Sequence, residues 1–336
     1  MIPMTTNSSI NVNPRFTIEP LSIILVTIMN LRLCGLLGIL ITSIAAAAQP
    51  EIRPLWPNLD KSLLARETAK DRGSTTQPNR FISDIAYPQL IIALPPADKA
   101  THTAILVCPG GGYSGVAIDK EGYEVAAWLN SIGHAAVILK YRMPRVELTK
   151  NDKPLPLVDG QRAIRWIRAN AHELNIDPHK VGIMGFSAGG HLASTVATHF
   201  DPPDPSAADP IDRFSDRPDF AVLVYPVITM NEGIAHTGSR KNLLGPDPDP
   251  AIVEQYSNEL HVMPNTPPTF LVHARDDHVS CQNSILFHDA LLANKVPTEL
   301  HLFDKGGHGF GLGSGKPEPS TWPSLCAHWI AQLLKK

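Results

Sequence analysis

The sequence has no excess of basic residues, since 29 Lys and Arg stand against 32 Asp and Glu in 336 residues, a net charge of −3. Binding to a phosphate backbone needs such an excess, so the composition argues against a general nucleic-acid-binding protein. Cysteine is also scarce, with four residues in the chain. Cys108, Cys281 and Cys326 lie beyond the N-terminal segment, and their odd number and spacing argue against a disulfide framework or a cysteine-based metal site.

Long apolar runs are missing as well. The run at residues 33–48 has about 16 residues, fewer than the roughly 20 that a membrane-spanning helix needs. It follows Arg32 and ends in small residues, which is the pattern of a secretory signal peptide cleaved near Ala48. Residues 21–29 are apolar too, so an uncleaved anchor remains an alternative. Met29 begins a compact basic segment, and we expect translation to start there rather than at Met1.

These features predict an exported protein, periplasmic or secreted, without stable membrane association after cleavage. The expected organisation is a signal peptide at residues 1–48, an N-terminal arm at residues 49–84 and one domain at residues 85–336. The arm is polar and contains proline, and we expect it to lie over the core or to be partly disordered.

From residue 85 the chain alternates between short apolar runs and amphipathic helical patterns. Solid apolar runs are typical of strands buried on both faces, and helices between them make parallel crossovers. The prediction is an α/β fold with a mostly parallel central sheet, helices on both faces and no large separate lid domain. The predicted strands are residues 104–108, 135–141, 180–186, 220–225, 269–273 and 298–303. The predicted helices are residues 121–131, 158–172, 188–199, 283–294 and 321–334.

Two segments rich in Pro and Asp, residues 201–218 and 232–266, interrupt this alternation. We expect both to be long surface loops after strands, on the side of the sheet where ligands bind, with a short helix around residues 251–260. They are the segments expected to set the acyl and leaving groups of a substrate.

A G-x-S-x-G motif at residues 185–189 lies between a predicted strand and a predicted helix. A serine at such a sharp turn exposes its hydroxyl, and the flanking glycines prevent a steric clash. The following helix directs free N–H groups towards the site, which favours an oxyanion. This pattern predicts Ser187 as a nucleophile.

A nucleophilic serine needs a base, and the base needs an orienting carboxylate. Among 14 histidines the best candidate for the base is His308, which has a glycine on either side and follows the last predicted strand. Asp276 and Asp277 follow the strand at residues 269–273. Of the two we favour Asp277 as the acid, and the other aspartate is then a turn residue or a partner of Arg275.

A glycine run at residues 110–112 follows the strand at residues 104–108. Residues without side chains let backbone N–H groups approach a developing oxyanion, so the predicted donors are Gly111 and Gly112, with Ala188 after the nucleophile. Tyr113 is a candidate for the floor of the acyl or sugar site, with structural packing as its alternative role. His191, a turn into the next helix, is expected to pack or to hydrogen-bond.

Together, PGGGYSG, GFSAGGHLA, HARDD and GGHGFG resemble the α/β-hydrolase superfamily, in its lipase/esterase branch with a glycine-rich oxyanion loop. Residues 85–334 look like exported acetylxylan- or feruloyl-esterase-like (BD-FAE/lipase-like) proteins, although Pro109 replaces the usual histidine before the glycines. The resemblance implies a carboxylic ester hydrolase acting through an acyl-enzyme on acetyl or feruloyl groups of plant-type polysaccharides. It implies a small ester or acylated oligosaccharide as partner, no cofactor and no metal.

Several other functions remain as alternatives. A serine peptidase or an arylformamidase shares this set of residues. A non-catalytic carbohydrate-binding module of the same fold is the alternative from another class. Residues 110–115 also fit the G-x-G-x-x-G dinucleotide pattern, which leaves Ser187 and His308 unexplained. A metal hydrolase is disfavoured because His172-Glu173 lacks the second histidine of H-E-x-x-H.

Overall fold

The structure is a computed structural model that describes residues 50–74, 77–144 and 153–335. The predicted signal peptide, its cleavage point at Ala48 and the alternative start at Met29 lie outside the described residues. Within these three ranges, no helix has the length and apolar character required to cross a bilayer.

The main sheet is mostly parallel. In chain order the strands of the described ranges are β1 (Glu51–Pro54), β2 (Thr68–Asp71), β3 (Arg80–Ser83), β4 (Gln89–Ala93), β5 (Ala104–Cys108), β6 (Gly115–Ala117), β7 (Ala135–Lys140), β8 (Val181–Phe186), β9 (Phe220–Val224), β10 (Thr269–Ala274) and β11 (Thr298–Phe303). Eight of them form one sheet in the order β1-β4-β7-β5-β8-β9-β10-β11, and β2, β3 and β6 form a second, small sheet. Strand β4 pairs antiparallel with both of its neighbours, β1 and β7. The strands β7, β5, β8, β9, β10 and β11 run parallel to one another.

Helices cover both faces of the main sheet. They are α1 (Glu124–Ser131), α2 (Leu155–Ala169), α3 (Ala188–Thr198), α4 (Thr237–Leu244), α5 (Pro250–Gln255), α6 (Gln282–Ala293) and α7 (Trp322–Leu333). On one face α1 and α7 meet through the rings of Trp128 and Trp322, whose centroids are 5.4 Å apart. On the other face α2 packs against α3. The predicted α/β class is therefore confirmed.

The central strands are buried because their sequences are apolar on both faces. Every residue of β5, β7, β8, β9 and β10 is buried, as expected for parallel strands between two helical layers. The register matters for the site: Cys108 of β5 lies opposite Gly185 of β8, and Ala274 of β10 lies opposite Phe303 of β11. The four loops that follow these strands therefore all leave the sheet at the carboxyl ends of the parallel strands.

The segment predicted as an arm contributes to both sheets. Its first strand, β1, pairs with β4 at the edge of the main sheet, and β2 and β3 belong to the small sheet. The sequence analysis missed these strands because each has four residues, none of them buried. Their pairing partners, rather than their own hydrophobic pattern, select the extended conformation.

The two Pro- and Asp-rich loops lie at opposite ends of the parallel strands. Residues 232–266 follow β9, as predicted, and contain α4 as well as the short helix α5. Residues 201–218 follow helix α3 and lead into β9, so the prediction that they come after a strand is wrong. In a parallel sheet a helix-to-strand connection enters at the amino end of the strand, away from the edge where ligands bind.

Candidate active site

Ser187 lies at the sharp turn between β8 and α3. Its φ is +53° and its ψ is −120°, a conformation that residues with side chains rarely adopt. Glycine is required on both sides, because a Cβ at Gly185 would lie 2.1 Å from the carbonyl oxygen of Gly189, and a Cβ at Gly189 would lie 2.1 Å from that of Cys108. The turn leaves Ser187 at the wall of a cleft.

The three predicted side chains meet at this turn. His308 Nε2 lies 2.9 Å from Ser187 Oγ, and His308 Nδ1 lies 2.8 Å and 3.0 Å from the two carboxylate oxygens of Asp277. An ionised carboxylate only accepts hydrogen bonds, so Nδ1 carries the proton and Nε2 accepts from the serine hydroxyl. This arrangement can activate the hydroxyl for attack on a carbonyl carbon.

Asp277 is held in its ionised form although its side chain is fully buried. Burial alone would raise its pKa, but hydrogen bonds involving His273 and His308 outweigh that effect and hold the pKa well below its usual range. The backbone N–H of Val279 also donates to Asp277 Oδ1, at 2.7 Å. Burial and these fixed donors keep the carboxylate pointing at the imidazole.

Asp276 occupies a different environment. Its Oδ1 accepts from the backbone N–H groups of Gly306 and Gly307, at 2.9 Å and 2.8 Å. These hydrogen bonds lower the pKa of Asp276 and fix the turn that precedes His308. Of the two candidate acids, Asp277 thus contacts the imidazole of His308, and Asp276 contacts the backbone of the loop just before His308.

Gly111, Gly112 and Ala188, the predicted oxyanion donors, lie next to the cleft or to the nucleophile. Gly111 and Gly112 have φ values of +150° and +63° and line the cleft, and Ala188 is the first residue of α3. Within the described ranges no protein acceptor takes the N–H of either glycine. A Cβ at Gly111 would lie 2.1 Å from the carbonyl oxygen of Gly115, whereas one at Gly112 would enter open space.

Of the two roles considered for Tyr113, the structure favours packing over the floor of the substrate site. Its side chain is 3% exposed, and its hydroxyl lies 2.8 Å from His191 Nδ1. His191 Nε2 in turn lies 2.8 Å from the carbonyl oxygen of Tyr256. Its φ is +59°, and its ring packs in the hydrophobic core rather than lining the cleft. Tyr113 therefore anchors the glycine loop, and His191 packs and hydrogen-bonds as expected.

The cleft has a volume of about 460 Å³, and several polar side chains line its largely apolar wall. Besides the predicted residues it is lined by Arg72, Phe81, Ser114, Glu121, His236, Asn242 and His278. Asn242 donates from Nδ2 to the carbonyl oxygen of Gly112 at 2.8 Å, so helix α4 holds the glycine loop. Sequence reasoning missed these residues. Arg72 and Phe81 come from the small sheet or its end and Asn242 from α4, and all three are distant from Ser187 in the chain.

His278 is the nearest of the missed residues to the base. Its ring centroid lies 4.8 Å from that of His308, and its side chain is 68% exposed. The sequence carried one signal for it, since it directly follows Asp277. Asp277, His278 and His308 also form a group that could hold a metal ion, with their ligand atoms within 4.8 Å of one another. An ion there would compete with His308 for Asp277, whose two oxygens already accept hydrogen bonds.

The dinucleotide alternative does not match the local structure. A dinucleotide site needs the glycines to open a helix whose N-terminus binds the pyrophosphate. Here the glycines after β5 lead into strand β6, which begins at Gly115. Gly110 also donates its N–H to Glu121 Oε2, at 2.7 Å, so this N–H is already used and does not serve a pyrophosphate.

Comparison with known proteins adds to this geometry. Residues 90–291 match the BD-FAE family. The structure is similar to that of an acetyl ester-xyloside bifunctional hydrolase from Caldicellulosiruptor lactoaceticus, with 41% sequence identity, a TM-score of 0.73 and coverage of 86% of this chain and 98% of that chain.

Two curated proteins are similar in sequence. An acetylxylan esterase from Xylanibacter ruminicola is 35% identical over 238 residues, which cover 69% of this chain and 46% of that protein. Endo-1,4-beta-xylanase B from Butyrivibrio fibrisolvens is 38% identical over 242 residues, which cover 71% of this chain and 37% of that protein. The matched region is thus less than half the length of either relative.

Proposed function

The chain belongs to the BD-FAE family, and on that premise we propose that it is a serine esterase that removes acetyl groups from xylan-type polysaccharides. The observation that carries the proposal is the continuous hydrogen-bonded chain from Ser187 through His308 to Asp277. Similarity to an acetylxylan esterase and to an acetyl ester-xyloside hydrolase supports the acetyl group and the xylan-type leaving group.

In the first half of the proposed reaction Ser187 Oγ bonds to the ester carbonyl carbon while His308 Nε2 takes the hydroxyl proton. The carbonyl π electrons move onto oxygen, where the N–H groups of Gly111, Gly112 and Ala188 stabilise the negative charge. Each such donor contributes about 3 kcal/mol to transition-state stabilisation. The C–O bond to the sugar then breaks, and His308 gives its proton to the departing sugar oxygen.

In the second half a water molecule attacks the acetyl-serine. His308 takes a proton from this water, and a second tetrahedral oxyanion forms at the same N–H groups. Its collapse releases acetic acid, and the proton on His308 returns to Ser187 Oγ. The buried carboxylate of Asp277 stabilises the imidazolium in both halves.

The cleft wall supports a carbohydrate leaving group. Arg72, His236, Asn242 and His278 supply side chains that can hydrogen-bond to sugar hydroxyls at the rim, and Phe81 supplies an aromatic ring. Specific sites usually combine an apolar surface with a few such polar groups.

A substrate panel with a nucleophile variant tests the proposal. We expect acetate release from acetylated xylan and p-nitrophenyl acetate, with slower turnover of longer p-nitrophenyl esters and of methyl ferulate. Ser187→Ala should lower kcat by about 10⁶-fold, as in other serine hydrolases, while the melting temperature changes little. Faster release of ferulate than of acetate would mean that the acyl group of the substrate is feruloyl and not acetyl. Cleavage of peptides or of formyl amides in place of esters, or xylan binding without hydrolysis, would refute the esterase.

We also propose that the protein acts outside the cytoplasm, because a xylan-type polymer is an external substrate and residues 33–48 have the signal pattern. N-terminal sequencing of the protein recovered from the periplasm or medium should give Gln49 as the first residue. Recovery of the uncleaved chain in the membrane fraction would favour the anchor.

A further inference from the structure

Glu121 is a buried carboxylate at the back of the cleft that takes no part in the proposed reaction. It is 5% exposed. Its Oε2 accepts from the backbone N–H of Gly110 at 2.7 Å, and its Oε1 accepts from the hydroxyl of Tyr225 at 2.9 Å. Burial raises the pKa of Glu121, although both hydrogen bonds oppose the rise. A group that is costly to bury is therefore retained directly beneath the loop that carries Gly111 and Gly112.

A rare backbone feature delivers this carboxylate. Residues Asp119–Tyr123 form one turn of π-helix immediately before α1, and the N–H of Tyr123 bonds to the carbonyl oxygen of Ile118 at 2.9 Å. Such turns are uncommon and occur mostly at functional sites. The loop in turn is shaped to receive the carboxylate, since a Cβ at Gly110 would lie 2.9 Å from Glu121 Oε2 and 2.8 Å from Ser187 Cβ.

Tyr225 connects Glu121 to the loop that carries the base. Its hydroxyl oxygen accepts from the backbone N–H of Gly311 at 3.0 Å, and its ring centroid lies 5.0 Å from that of His308. The indole of Trp322 donates to the carbonyl oxygen of Gly311 at 3.0 Å, so both backbone polar groups of Gly311 are held by buried side chains. The link between the oxyanion loop and the histidine loop is thus buried and hydrogen-bonded along its whole length.

We propose that Glu121, through Tyr225, is a positioning residue that fixes the oxyanion-loop N–H groups and His308 in one frame around Ser187. Every donor in the link has an acceptor only when Glu121 presents two carboxylate oxygens, one to Gly110 and one to Tyr225. An amide at position 121 presents one oxygen and one NH₂ group, so it cannot accept from both. The inference rests on the proposed esterase reaction and concerns the geometry of that site.

The test compares Glu121→Gln with the wild type and with Asp119→Asn, using p-nitrophenyl acetate kinetics and thermal unfolding. Asp119 is a matched control, because it is buried in the same π-turn but accepts from the backbone N–H and guanidinium of Arg80, not from the glycine loop. For Glu121→Gln we expect kcat to fall about 10- to 100-fold with KM within threefold, since a displacement of about 1 Å in a site costs this much. Asp119→Asn should lower the melting temperature without lowering kcat.

A second readout separates positioning from stability alone. Affinity for a boronic-acid transition-state analogue should fall in parallel with kcat in Glu121→Gln, and should stay unchanged in Asp119→Asn. A folded Glu121→Gln enzyme with kcat and analogue affinity within threefold of wild type would overturn the inference.

If Glu121→Gln does not fold, Tyr225→Phe decides by the same criteria, because it removes the link to Glu121 and retains the ring. If Tyr225→Phe does not fold either, Glu121 and Tyr225 are needed for the stability of the whole fold, and the positioning role is rejected. A wild-type protein without esterase activity would refute the proposed function first, so the two failures are distinguishable.

Discussion

Replacing Asp277 by asparagine should abolish most activity by reversing the tautomer of His308. Asp277 Oδ1 accepts from Val279 N–H at 2.7 Å, so the amide oxygen of an asparagine stays at this position. Its NH₂ group then occupies the position of Oδ2, 2.8 Å from His308 Nδ1, and donates to that nitrogen. The imidazole proton moves to Nε2, which can no longer accept the proton of Ser187.

The expected loss in kcat is about 10⁴-fold, the effect of the same change in a serine protease, or about 5.4 kcal/mol of transition-state stabilisation. Initial rates with p-nitrophenyl acetate at pH 7 to 8 measure it directly. Asp276→Asn is the matched control one residue away. Both of its backbone hydrogen bonds go to Oδ1, which an asparagine retains as its amide oxygen, so we expect its kcat to stay within about threefold of wild type.

Two results would refute this reasoning. A kcat for Asp277→Asn within tenfold of wild type would mean that Asp277 does not orient His308. A loss of several orders of magnitude in Asp276→Asn, with Asp277→Asn nearly normal, would assign the acid to the neighbouring residue.

Three further predictions test other parts of the structure. Asn242→Ala removes the hydrogen bond to the Gly112 carbonyl and should lower kcat about 3- to 10-fold at nearly constant melting temperature, and an unchanged kcat would contradict a role for α4 in holding the loop. Tyr113→Phe should cost about 1 kcal/mol of unfolding free energy in urea titrations with little change in KM, whereas a large rise in KM would show substrate contact. Burial lowers the pKa of His134 and of His191 to about 4, from 6.5. The unfolded chain therefore binds more protons than the folded one below pH 6.5, and the unfolding free energy should fall by up to about 3 kcal/mol per histidine between pH 6.5 and 4. The fall should be smaller in His134→Gln, and a free energy independent of pH in this window would contradict the burial of neutral imidazoles.

The elements that the sequence predicted are those whose pattern is local. The strands at residues 104–108 and 298–303 have the predicted bounds, and helix α3 ends one residue earlier than predicted. These elements are recognisable because solid apolar runs and amphipathic stripes report burial directly. Strands β1, β2 and β3 carry no such pattern, and pairing with β4 and β6 determines them.

The residues of the candidate site also fall into those with a local sequence pattern and those without one. Ser187 could be predicted because glycines two residues before and after it are the local requirement of a strained turn, and His308 because glycines flank its loop. Glu121, Tyr225 and Asn242 could not, because no local rule connects them to a serine that lies far away in the chain. They reach it through a π-turn, a strand end and an inserted helix.

The sequence by itself determined the α/β class, the sharp turn at Ser187 and the residue types available for nucleophile, base and donors, since each depends on a few neighbouring residues. The tertiary structure alone decided that Asp277 and not Asp276 faces the imidazole, and that Tyr113 points into the core. It also decided that the loop at residues 201–218 lies at the amino ends of the parallel strands, opposite to the cleft at their carboxyl ends. These outcomes depend on strand register, crossover direction and burial, which arise only when distant segments pack together.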